Sequence, residues 1–148
     1  VADKDAALSE MYRALKPGGR VVINAPGPET KAFAAFSNAL HNHVSPEAAG
    51  FMRAVFSLND EAELEAILTR AGFKDTRVDA EVTELRLPPA RDFLWQYVRS
   101  TPLAAVIDKV DRARLAALDH DVMQAWREFE DAQGMHVGQR VVTAMGRK

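Results

Sequence analysis

The sequence predicts an α/β domain in which amphipathic helices alternate with buried strands. Three observations predict it. A helical pattern ending at Leu15 is followed, across Lys16-Pro17-Gly18-Gly19, by the β-branched run Val21-Val22-Ile23. A second helical pattern, Leu64 to Ala71, stops at Gly72 and leads into the alternating Val78, Ala80 and Val82. The composition is that of one soluble domain or a large piece of one, with 148 residues, 47% hydrophobic and 27% charged. A chain of this length buries roughly 70% of the surface its unfolded form exposes, enough for a core without staples.

The elements follow in order. Leu8, Met11, Tyr12 and Leu15 fall at i, i+3, i+4 and i+7 on one helical face, with Asp3 or Asp5 as cap. Pro17 cannot continue that helix, and Gly18 or Gly19 can take a positive φ. The continuous run Val21-Val22-Ile23 suits a strand buried on both faces, as in a parallel sheet with helices above and below. Pro26-Gly27-Pro28 breaks it, and Phe33, Phe36 and Leu40 mark a helix that fades near Asn42 to Pro46. The helix carrying Leu64, Ile67, Leu68 and Ala71 takes Ser57 or Asn59 as cap, with Asp60 and Glu61 favouring its positive end. Leu85 and Leu87 carry the opposite parity to Val78, Ala80 and Val82, so a bulge or bend is expected near Thr83 or Glu84. Pro88-Pro89 closes that strand. Residues 88–134 read as a mainly helical insertion before a last strand, Val137 to Met145, so that 1–87 and 135–148 form the αβ core.

Several chemistries are excluded at once. With no cysteine there is no disulfide, thiolate zinc site or cysteine nucleophile, which is compatible with a reducing cytoplasm. A net charge of -2 leaves no footprint for nucleic acid, and no apolar run reaches transmembrane length. The eight glycines form no Gly-x-Gly pair, so a dinucleotide fingerprint and a P-loop are absent, as is Gly-x-Ser-x-Gly.

Two groups of residues remain as candidates. His41 and His43 are candidates for a metal pair or a general base, against the simpler reading of ordinary polar residues; the base is the better of the two, since on a helix i and i+2 point about 200° apart and no third ligand is evident. Phe33, Phe36, Trp95 and Tyr97 are candidate walls of an apolar substrate pocket, against the simpler reading that they pack helices. The charged run Asp108 to Arg114 reads as a solvated helix face.

The run Ala7 to Ile23, with Lys16-Pro17-Gly18-Gly19 between its helix and its strand, closely resembles the helix, turn and fifth strand of class I S-adenosylmethionine-dependent methyltransferases, of the type related to ubiquinone and menaquinone C-methyltransferases. Phe56-Ser57-Leu58 with the helix after it, and Ala71-Gly72-Phe73, are similar to the family's next helix and its entry into strand six. Leu87 to Leu103 resembles the segment inserted in one small-molecule subgroup, and Val141 to Ala144 resembles strand seven.

The resemblance implies the C-terminal part of a doubly wound, Rossmann-like methyltransferase sheet, with a helical insertion between its last two strands. It implies methyl transfer from S-adenosylmethionine to a small-molecule acceptor by a parent protein. It also implies that the family's Gly-rich loop and its acidic adenosine-binding residues lie outside this chain, which begins at Val1 without Met and reads as a fragment. Weak or absent cofactor binding by this chain alone is the expectation. A strand such as Val21 to Ala25 normally pairs on both sides, so its edge calls for a partner: an N-terminal half, or another copy of this chain. The competing readings are a noncatalytic dimerisation or ligand-binding domain, and a helical small-ligand sensor built on the insertion.

Overall fold

The computed structural model describes residues 3–148 as two compact units. The first takes the stretch up to Pro28, Leu58–Val82 and Arg140–Lys148; the second takes Glu29–Ser57 and Thr83–Gln139. The second unit is wider than the insertion read from the sequence, because it includes Glu29–Ser57 as well.

In the first unit, α1 (Lys4–Ala14) starts on Asp3, whose carboxylate accepts the Ala6 N–H at 2.8 Å. It buries Leu8, with Tyr12 and Leu15 partly buried, whereas Met11, placed on that face by spacing, is 45% exposed. The Lys148 ammonium donates to the Arg13 and Leu15 carbonyls (3.2 and 2.7 Å), where a cation best answers the negative end of a helix. The turn closes with the Gly19 N–H on the Lys16 carbonyl at 2.8 Å, and Gly18 sits at φ 77° after Pro17. This is the arrangement of a type II turn, whose third residue needs the left-handed freedom of glycine.

β1 (Arg20–Pro26) emerges from that turn and pairs with β4 (Gly134–Arg147), from Arg20 opposite Arg147 to Pro26 opposite Val141. The pairing is antiparallel, which overturns the expectation of a parallel strand. Burial on both faces is overturned as well: of β1 only Ala25 is buried, and Val22 is 60% exposed. A β-branched triplet reports fitness for a pleated surface; it carries no information on the direction of a partner from the far end of the chain.

α4 (Glu61–Arg70) starts on Asp60, which accepts the Glu63 N–H at 2.8 Å, rather than on Ser57 or Asn59. It ends with the Gly72 N–H on Thr69 O and the Phe73 N–H on Leu68 O, a Schellman closure. β2 (Lys74–Leu87) follows. The sheet order is β1-β4-β2, and the short β3 (Glu130–Asp131) also pairs with β4. Among the described residues β1 is therefore an edge strand. The first unit's core gathers Leu8, Leu64, Ile67, Leu68, Phe73, Val142 and Ala144.

The second unit is mainly helical. α2 (Lys31–His43) starts on Thr30 and ends cleanly; α3 (Pro46–Val55) begins at once on Ser45, whose hydroxyl accepts the Ala48 N–H at 3.2 Å. The helix fading near Asn42 to Pro46 is thus two helices. After β2 come α5 (Ala90–Arg99), α6 (Leu103–Ile107) and α7 (Arg112–Trp126). Their core packs Phe36, Leu40, Met52, Leu94, Leu103, Leu118 and Trp126. Along β2, Thr76 and Val78 are partly buried and Leu85 and Leu87 pack in the second unit, with opposite parity, but Ala80 and Val82, read with Val78 as one face, are exposed because residues 79–84 are covered on neither side. Among the described residues no helix is long and apolar enough to cross a membrane.

Candidate functional site

Every candidate side chain read from the sequence lies in the second unit. Phe33 and Phe36 sit on the inward face of α2, 7% and 1% exposed. Tyr97, on α5, stands with its ring centroid 6.2 Å from Phe33 and 6.0 Å from Phe36, the latter edge-to-face. Phe93, and two rings the sequence reading did not assign to a site, Phe56 and Trp126, complete the cluster. Phe56 lies 5.3 Å from Phe33, Phe93 lies 5.8 Å from Tyr97, and Trp126 lies 6.0 Å from Phe36. Such pairs contribute about 0.5–1.5 kcal/mol each beyond burial. The Trp126 indole N–H donates to the Ala32 carbonyl at 2.7 Å, which fixes the deepest ring. Burial pushes the Tyr97 phenol above its ordinary pKa, so near neutral pH it stays protonated and can only donate or weakly accept.

Trp95 does not join these rings. It lies two residues from both Phe93 and Tyr97, hence on another side of α5, and its indole N–H donates to Asp119 Oδ1 of α7 at 3.2 Å. It lines a shallow groove of about 280 Å³ with Arg91, Asp92, Gln96 and Arg99.

The histidines also separate. His41 is exposed near the end of α2, whereas His43 is partly buried, with Nε2 2.7 Å from Asp121 Oδ2 of α7. They do not converge on a common ion, and among the described residues no group of three His, Cys, Asp or Glu side chains could hold a metal. An ionised Asp121 takes the proton-bearing Nε2–H, which leaves Nδ1 as the basic nitrogen. The adjoining Val44 carbonyl accepts from Arg114 Nη2 at 3.3 Å, tying the end of α2 to α7 a second time. Asp121 was invisible before the fold, since 78 residues separate it from His43. The sequence reading also passed over Glu29, whose partly buried carboxylate accepts from the buried Ser37 hydroxyl at the start of α2.

No family model matches the chain. The ubiquinone/menaquinone biosynthesis C-methyltransferase UbiE of Vibrio campbellii is 35% identical over 89 residues, covering 52% of this chain and 34% of the relative. The chain thus spans about a third of the length of the curated relative it matches. Two solved structures of Haemonchus contortus phosphoethanolamine N-methyltransferase 2 also match. One is in complex with phosphomonomethylethanolamine and S-adenosylhomocysteine (18% identity, TM-score 0.42) and one with S-adenosyl-L-methionine (19%, 0.41); each match covers 99% of this chain and 30% of theirs.

Proposed function

From the chain's relation to class I S-adenosylmethionine-dependent methyltransferases, we propose that it supplies the later αβ units of such an enzyme, acting on a small molecule in the cytoplasm. The observation that carries this is the 89-residue stretch at 35% identity to a C-methyltransferase. The turn Lys16 to Gly19 feeding β1, and the helices of residues 88–134 between the last two long strands, support an α/β methyltransferase-like arrangement with an insertion; the doubly wound sheet is the finer part of the proposal.

The residues present do not fit the cofactor. The turn after β1 is tied to β4: the Gly27 N–H donates to the Arg140 carbonyl at 2.6 Å, and a Cβ at Gly27 would lie 2.7 Å from that oxygen. Two carboxylates near the start of α4 are engaged elsewhere, Glu61 by Arg140 and Asp60 as a helix cap. No transfer step is therefore assigned to the cofactor here. What this chain offers is the acceptor side. Phe33 and Phe36 are packed inside the ring cluster, so of the candidate wall Trp95 and Tyr97 are the partly exposed members; His43, held by Asp121, takes a proton from an acceptor that must lose one, and His41, without such a partner, is the lesser base.

The unpaired side of β1 carries the partner reading. Seven residues of edge strand leave N–H and C=O groups that a further strand satisfies. That strand comes from the rest of the enzyme; a second copy of this chain is the noncatalytic dimerisation reading.

Calorimetric titration of S-adenosylmethionine into this chain, and into a longer protein containing it, tests the assignment. No saturable binding by the chain and tight binding by the longer protein are expected. Submicromolar binding by the chain alone overturns it, and a stable dimer whose encoding frame adds no methyltransferase sequence favours the dimerisation reading.

A further inference from the structure

We propose that the outward face of α5 binds a small planar aromatic carboxylate, stacked on Trp95 and held by Arg99. The proposal is independent of the methyltransferase reading. α5 turns Ala90, Leu94 and Val98 into the core, and Phe93 and Tyr97 into the ring cluster. The other side of an amphipathic helix is expected to be polar. Arg91, Asp92, Gln96 and Arg99 comply; Trp95 is half-buried, packed against the core on one side and lining the groove with them on the other.

The indole is held in one orientation. Its N–H donates to Asp119 Oδ1 at 3.2 Å, and Asp119 Oδ2 pairs with Arg91 at 3.5 Å, so one carboxylate fixes both. The groove beside it is about 280 Å³ and open to solvent, room for one substituted ring lying on the indole. Charge then selects the ligand. Arg91 is answered by Asp119, whereas Arg99 pairs with no carboxylate among the described residues. Arg99 follows Trp95 by four residues on the same helical stripe, about 5–6 Å away at Cβ. A ring on the indole therefore brings its carboxylate to a guanidinium fork, the geometry of bidentate pairing. Asp92 in the groove disfavours a second negative charge, so a monoanion is preferred to a dianion.

The chain has two tryptophans, and Trp126, buried and bonded to Ala32, serves as internal reference. The full chain, nitrogen-15 labelled, is titrated with benzoate, with the uncharged isostere benzamide, and with phenyl phosphate at about pH 8, where its phosphate is dianionic. Benzoate is expected to move the Trp95 indole signal saturably, with a Kd of about 1 mM for so small a ligand, and to leave Trp126 in place. Benzamide, and benzoate with the Arg99→Gln variant, are each expected to bind about tenfold more weakly, as loss of one charge-assisted pair implies. An unmoved Trp126 signal in that variant shows that the fold is kept. Absence of a saturable shift, equal binding of benzamide, or an unaltered Arg99→Gln overturns the proposal; tighter binding of phenyl phosphate overturns the preference for a monoanion.

Discussion

In the second unit Phe36, Leu40, Met52, Leu94, Leu118 and Trp126 are each 1% exposed or less, and their rings and branches meet from several helices. In the first unit β1 buries Ala25 alone, and Val22 stands 60% exposed on an edge strand. The helical unit has closed its core with its own side chains; the sheet of the first unit has polar edge groups and a β-branched face still uncovered. The inequality locates where a partner is needed. A helix satisfies its backbone internally and has only a stripe to bury, whereas a strand depends on a neighbour along each edge.

The sharpest way to break that comparison is to empty both cores. Trp126→Ala removes a buried indole, its bond to Ala32 and its contacts with Phe36 and Phe93, and is expected to cost about 3–5 kcal/mol. Leu68→Ala, at 0% exposure in the first unit, is expected to cost about 2–5 kcal/mol and less than Trp126→Ala. Urea unfolding followed by far-UV circular dichroism gives both values. A larger loss for Leu68→Ala would mean that the first unit is the better closed of the two.

Next in size are the caps, which sharpen the comparison because they should be blind to it. Asp60→Ala in the first unit and Ser45→Ala in the second each remove one oxygen from a helix N-terminus, and each is expected to cost about 1 kcal/mol. Equal losses in urea unfolding would place the difference between the units in their sheet and core rather than their helix ends.

Local chemistry made some elements legible and topology hid the rest. The stop of α1 at Lys16 to Gly19 and the Gly72 closure of α4 rest on neighbours in sequence, and they stand in the structure as read. α3 was legible too, since Ser45 followed by Pro46 and Glu47 is a cap, a proline at the first helical position and an acidic first turn. Its small residues Ala48 and Ala49 hid the apolar stripe. The antiparallel partner of β1 was beyond reach, because nothing in Val21 to Ile23 points to Val141 to Gly146. For the candidate site the spacing rule that separated His41 from His43 also separates Trp95 from Phe93 and Tyr97, and would have divided the proposed wall before any fold was known. Asp121 and Asp119 become informative only when α7 is placed beside α2 and α5.

A smaller effect is expected at Asp131. Its carboxyl is held below the ordinary range, chiefly by the Gln133 N–H at 2.7 Å, with His136 as a lesser contributor. A carboxyl lowered on folding adds stability above its unfolded pKa, and that contribution is lost as pH falls through its lower folded value. Asp131→Asn is therefore expected to be slightly less stable than the parent near neutral pH and to converge with it in strong acid. Urea midpoints across that range check it; divergence that grows toward acid would reverse the sign.

The least change in this chain is expected at Val22, and there a null result is informative. Val22→Thr keeps the β-branched shape and replaces one methyl by a hydroxyl, so at 60% exposure it should alter stability by no more than about 0.5 kcal/mol. If, as proposed, a longer protein packs a helix on this face of β1, the same change buries a hydroxyl there, at about 1–3 kcal/mol if it finds no partner. Urea unfolding of both forms, with sedimentation of each, separates the cases. Little effect in this chain and a clear loss in the longer protein support coverage of this face from within that protein. A loss above about 1 kcal/mol in this chain, falling with dilution, would place a second copy on β1 instead. Equal indifference in both forms would leave Val22 facing water, and would remove this face of β1 from any account of assembly.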